Sequence, residues 1–245
     1  MKIRKLLTAL TVGASMMIST TVFAITIDGN FGLGEWSGSY AAEDGVGPGG
    51  YVGPGYGGQL FDVEYLGLRV DAGTVYFGLQ TGFNLRDGVT YSGTHYGAGD
   101  LALDVTNDGD YDYAIRFDLS GITPALTLYD VTTWQNVMYP QHAIADPYRY
   151  DTGSEVLGAT FNADYSHGVP INGKTSYVLE GSFALSNLVY AGGPLGLHWT
   201  MECGNDYLNT TTSPVPEPGT IFLLGFGLIG CSAWGVIRRR RPAQA

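Results

Sequence analysis

Cysteine is close to absent from this sequence. There are two, Cys203 and Cys231. The second lies inside a long apolar run, so the two cannot pair without pulling one out of its environment. A disulfide scaffold is thereby excluded, and Cys203, in an apolar β-type run, reads as a small core residue. Histidine is nearly as scarce. His95, His142, His167 and His198 stand far apart with no metal-ligand spacing, and none forms a recognisable nucleophile motif with Cys203. No Gly-x-Ser-x-Gly occurs. Glu35, Glu180 or any Asp pair has glycosidase chemistry available, but no spacing singles one out. These absences point away from an enzyme.

Positive charge is the third scarcity. Of 12 Lys and Arg, three (Lys2, Arg4, Lys5) open the chain and four (Arg238–Arg241) stand near its end. The stretch 25–214 keeps Arg69, Arg86, Arg116, Arg149 and Lys174 against 22 acidic side chains, a formal charge of −17. Such a surface repels nucleic-acid phosphates and anionic headgroups and attracts divalent cations. A nucleic-acid partner is therefore not expected.

The two ends carry the long apolar runs. After Lys2, Arg4 and Lys5, residues 6–18 are mostly apolar, and Val22-Phe23-Ala24 offers small residues at the key positions of a cleavage site. This predicts a secretory signal peptide over 1–24, cut by signal peptidase after Ala24. At the other end, 220–237 holds 18 residues without a charge. At 1.5 Å rise per residue a helix there is roughly 27 Å long, just enough to cross a bilayer core. The arginines that follow would hold its end on the cytoplasmic side. Gly225, Gly227 and Gly230 spell GxGxxG, but no strand precedes them and no βαβ unit surrounds them, so dinucleotide binding is discarded.

Pro216-Glu217-Pro218, the Gly/Leu-rich run 221–237 and the cluster Arg238, Arg239, Arg240 and Arg241 occur in that order at the terminus. This tripartite tail resembles the PEP-CTERM sorting signal of Gram-negative bacteria. The resemblance implies export, a membrane-anchored precursor, recognition by exosortase and removal of the helix. It also implies delivery to the cell surface or extracellular matrix of a bacterium that makes exopolysaccharide.

Between the ends, about 190 residues suit one domain with a full core. Short alternating or β-rich runs are separated by Gly, Asp and Asn, and amphipathic helical patterns are scarce. This predicts an all-β fold: a single antiparallel, jelly-roll-like β-sandwich over 25–208, then a Thr/Pro linker over 209–215 and the sorting signal over 216–245. Strands are expected at 25–27, 60–70, 74–82, 100–106, 111–118, 177–183 and 195–201. A hairpin is expected from 126–131 and 135–139 around 132–134. Long loops are expected at 41–58 and 84–99, an irregular stretch with a minor helix or short edge strands at 141–173, and a Thr-rich polar spacer from 205. Ile27-Asp28-Gly29 with Glu35-Trp36, Asp100–Asp104 with Asn107-Asp108-Gly109, and Leu179–Leu188 resemble DOMON-type and family-nine carbohydrate-binding sandwiches. That resemblance implies a β-sandwich that binds carbohydrate.

Two constellations are candidates for chemistry. Asp104, Asp108, Asp110 and Asp112 resemble the first half of an oxygen-ligand Ca²⁺ loop, although Ile115 stands where an EF-hand has Glu. The competing reading is a hairpin turn whose carboxylates cap backbone amides. Asp62 and Glu64, two apart on one strand face, are the second cation candidate. Trp36 and Trp134 are candidates for stacking on sugar rings, Trp134 at a hairpin tip, while Trp199 is expected in the core. The functional expectation is an exported surface or matrix protein with a structural or binding role. The alternative is a carbohydrate-binding module that recognises extracellular polysaccharide.

Overall fold

The structure is a computed structural model that describes residues 24–43, 51–171 and 173–212. The expected signal peptide, apart from Ala24, and the sorting tail lie outside the described residues. Ala24 is exposed at the start of the described chain.

The strands run β1 (Tyr40–Ala42), β2 (Val63–Asp71), β3 (Thr74–Thr81), β4 (Val89–Tyr91), β5 (Thr94–Tyr96), β6 (Leu101–Asp104), β7 (Tyr113–Asp118), β8 (Ala125–Gln135), β9 (Arg149–Glu155), β10 (Asn162–Ile171), β11 (Lys174–Ala184), β12 (Leu195–Thr200) and β13 (Tyr207–Thr212). They form a five-stranded sheet, β1-β2-β3-β11-β10, a six-stranded sheet, β13-β12-β6-β7-β8-β9, and the small hairpin β4-β5. The chain crosses between the large sheets after β3, after β9 and after β11. Neighbouring strands in both sheets are antiparallel. The fold is the expected all-β antiparallel sandwich.

Alternation of side chains decides what each face does. Leu66, Leu68, Val70, Val75, Phe77, Leu79, Leu179 and Phe183 of the first sheet meet Leu101, Leu103, Ile115, Leu128, Leu195, Leu197 and Trp199 of the second in one buried cluster. Burying one such large side chain contributes about 1.5–3 kcal/mol, which makes this cluster the main source of stability.

Several expectations are corrected. Residues 25–27 form no strand; the stretch instead runs toward a turn over the outer face of the first sheet. The hairpin expected around 132–134 does not exist. β8 is one continuous strand, because β7 pairs with its first half and β9 with its second, with register shifts near Thr133. Both β9 and β10 fall in the stretch expected to be irregular. Neither strand holds a fully buried residue, so the hydrophobic alternation that flags a strand is faint. The Thr-rich stretch from 205, assigned partly to a linker, contains β13, an edge strand paired along its length with β12.

Candidate functional site

Trp36 does not stack on a ligand, because it is fully buried. Its ring lies parallel to Phe31 at 5.1 Å and rests on the outer face of the first sheet, over Gly67 and Gly78. A Cβ at Gly67 would come within 2.5 Å of the indole, which is why glycine stands there. The indole Nε1–H donates to Oε1 of Glu180 at 3.1 Å, and the amides of Asp28 and Gly29 donate to Oε2 at 3.4 and 3.1 Å. Burial drives the Glu180 carboxyl up to about 7 against the pull of these donors. The three sequence fragments that suggested a carbohydrate-binding sandwich are thus partly a structural clasp, holding the N-terminal segment to β11.

The Asp104–Asp112 segment is a capped turn. Asp104 accepts the amides of Thr106, Asn107 and Gly109, Asp108 accepts that of Asp110, and Asp112 accepts that of Val105. Among the described residues these carboxylates do not form a group of three with ligand atoms within 4.8 Å of one another. Trp134 is half-buried near the end of β8, not at a hairpin tip. Its Nε1–H donates to the Tyr111 carbonyl at 2.9 Å, and the two rings meet edge to face at 6.2 Å. With Asp110 and Asp146 they line a shallow depression of about 400 Å³. Cys203 and Trp199 are buried core residues, as expected.

Sequence reasoning missed a cleft of about 440 Å³, built where the β4–β5 hairpin approaches the end of β7 and the start of β9. Arg86, Arg116 and Arg149 line it, which is three of the five cationic side chains in 25–214. Among the described residues the ion pair is Arg69–Asp71 at 3.5 Å; none of the cleft arginines makes one. Arg86 sits over the Tyr165 ring and Arg149 over the Tyr148 ring, each at 5.1 Å. Stacking holds a guanidinium in place while leaving N–H groups for another acceptor, although Nη2 of Arg149 already donates to the Ala98 carbonyl at 3.4 Å. The Nε of Arg149 is buried without a hydrogen-bond partner. The acids of the same cleft are engaged locally: Asp87 with Asn84, Asp100 with the Tyr150 amide and Asp118 with the Ser120 amide. Burial pushes Asp100 up to about 6, against the pull of the Tyr150 amide and of the Arg149 and Arg116 charges. The scarcity of cations was visible in the sequence, but their convergence from separate elements was not.

Residues 214–241 match the family model described as the PEP-CTERM protein-sorting motif. The chain carries a PEP-CTERM motif. It is therefore an exported, membrane-anchored precursor, with exosortase as its processing partner. Among the described residues no helix is long and apolar enough to cross a membrane, and the expected span 220–237 lies outside them. No curated protein and no solved structure matches the chain.

Proposed function

We propose that this PEP-CTERM protein is a non-enzymatic binding protein of the cell surface or exopolysaccharide matrix. Its β-sandwich would recognise a carboxylate-bearing polysaccharide through the Arg86–Arg116–Arg149 cleft. The observation that carries the reading is the gathering of three arginines without an ion pair in one polar cleft on an acidic body. A body at −17 repels polyanions at long range. At physiological ionic strength that repulsion fades over about 8 Å, so recognition depends on short-range forks between guanidinium and carboxylate. The half-exposed Trp134–Tyr111 depression supplies an aromatic surface of the kind that sugar rings use.

Affinity electrophoresis of the mature protein in gels containing a polyuronate or a neutral glucan tests this. The polyuronate should retard the protein and the neutral glucan should not. The double variant Arg86→Ala/Arg116→Ala should weaken retardation by about tenfold or more, the scale of losing charge-assisted contacts at roughly 1.5–3 kcal/mol. Equal mobility in both gels, or retardation unchanged in the variant, would overturn the reading.

A further inference from the structure

Glu43 follows β1, Asp62 precedes β2 and Asp206 precedes β13. Their carboxylates converge, with one oxygen from each lying within 4.8 Å of the others. The convergence has structural causes. The segment 51–58 lies against the start of β13, through a bridge between Pro54 and Asp206 and a hydrogen bond from the Gly55 amide to the Asn205 carbonyl at 2.8 Å. Asp206 accepts the amides of Val63 at 2.6 Å and Tyr207 at 2.8 Å, which fixes its carboxylate against the start of β2. Glu43 is fixed from the other side, its amide donating to the Glu64 carbonyl at 3.2 Å.

Asp62 points to a ligand independently of this crowding. It is 1 % exposed, yet neither of its carboxylate oxygens has a hydrogen-bond partner. Its backbone is fully used, the carbonyl accepting from the Gly82 amide at 2.8 Å and the Thr81 hydroxyl at 2.6 Å. A buried carboxyl without a partner is costly in either protonation state: ionised it lacks donors, and protonated it lacks an acceptor for its own proton. The sequence paired Asp62 with Glu64 on one face. In the structure Glu64 instead accepts from Gln59 Nε2 at 2.9 Å and is not one of the three converging carboxylates. Burial, then the neighbouring carboxylates Glu64 and Glu43, hold the Asp62 carboxyl above its ordinary range. Burial and Glu43 do the same to Asp206.

We propose that Glu43, Asp62 and Asp206 form a Ca²⁺ site that ties the β1–β2 end of the first sheet to the β13 edge of the second. An all-carboxylate set without His or Cys suits a hard cation. Ligands about 2.3–2.6 Å from a calcium ion are separated by distances of the kind these oxygens show. The cation would satisfy both orphaned Asp62 oxygens and neutralise three converging acids, while half-buried Glu43 leaves it a route in from solvent. Closing the sandwich edge in this way is a structural role, separate from the arginine cleft.

The test uses the full chain in detergent, stripped with EDTA and then titrated with CaCl₂ by calorimetry. Melts are run in EDTA, in CaCl₂, and in NaCl at matched ionic strength. One Ca²⁺ should bind per chain. At about a hundredfold excess over Kd the melting temperature should rise by roughly 5–10 °C above the NaCl control. Asp62→Asn keeps the shape of the side chain and breaks no hydrogen bond. It should melt at or above wild type in EDTA, and should weaken Ca²⁺ binding by about tenfold or more. Asp108→Asn, in the capped turn, should keep the full calcium response. Absence of binding heat with wild type, or an undiminished response in Asp62→Asn, would overturn the site. Failure of Asp206→Asn to fold would not rescue it, since the Asp62 variant decides the question.

Discussion

Trp36 shows how a single residue can be read correctly as important and wrongly as to role. A tryptophan beside a glutamate at a strand end suggests a binding platform; here the tryptophan is buried and its partner is the distant Glu180, while Glu35 accepts the Thr26 amide. The indole fills the space that Gly67 and Gly78 leave open and gives its N–H to Glu180. Trp36→Ala should cost about 3–5 kcal/mol in urea unfolding, the usual range for emptying a buried aromatic site. A loss below about 1 kcal/mol would mean that the N-terminal segment contributes nothing to the folded body. Glu180 adds a pH signature. Its folded pKa, about 7, lies above its ordinary 4.5. Its contribution to stability is therefore fully present below pH 4.5 and is lost as pH rises through 7. Glu180→Gln should thus destabilise more at pH 5 than at pH 8, by on the order of 2–3 kcal/mol. Buried His198 titrates with the opposite sign but is common to both proteins, so it cancels in the difference. A pH-independent difference between wild type and variant would contradict the assignment.

Among the elements, the β2–β3 hairpin was the most legible. Alternating apolar residues flank Asp71-Ala72-Gly73, and the observed turn has positive φ at Ala72 (46°) and Gly73 (76°). That is the type I′ geometry that matches strand twist, and alanine is a poor choice for its first position. Ala72→Asn should raise stability by about 0.5–1 kcal/mol in thermal melts, with no change in polyuronate retardation. Where burial is one-sided or slight, legibility fails. β9, β10 and β13 carry few apolar residues because they lie at sheet edges, and the only signal for them is the partner strand. The candidate sites follow the same rule. The Asp104–Asp112 turn is contiguous and was seen, and its competing reading as a capped turn is the one the structure displays. The arginine cleft and the Glu43–Asp62–Asp206 group join residues distant in sequence, so no local pattern announces them.

At the scale of the whole molecule, the chain divides into an acidic sandwich and a terminal sorting motif over 214–241. The two are separated by charge as well as by sequence. The folded body holds 22 acidic residues, while four of the chain's arginines sit together at 238–241. β13 ends at Thr212, so the folded sheet stops two residues short of the matched motif. A protease acting on the motif would meet the sandwich edge immediately upstream. Under the proposed function the tail delivers the sandwich and is then removed, leaving the body at the surface or in the matrix. Mass spectrometry of the protein recovered from the surface of the exporting cell tests this directly. The N-terminus should be Ile25 and the C-terminus should fall within 216–220, with the C-terminal cut lost when Arg238–Arg241 are replaced by neutral residues. Recovery of intact peptides from 221–245 in the surface-localised form would contradict it.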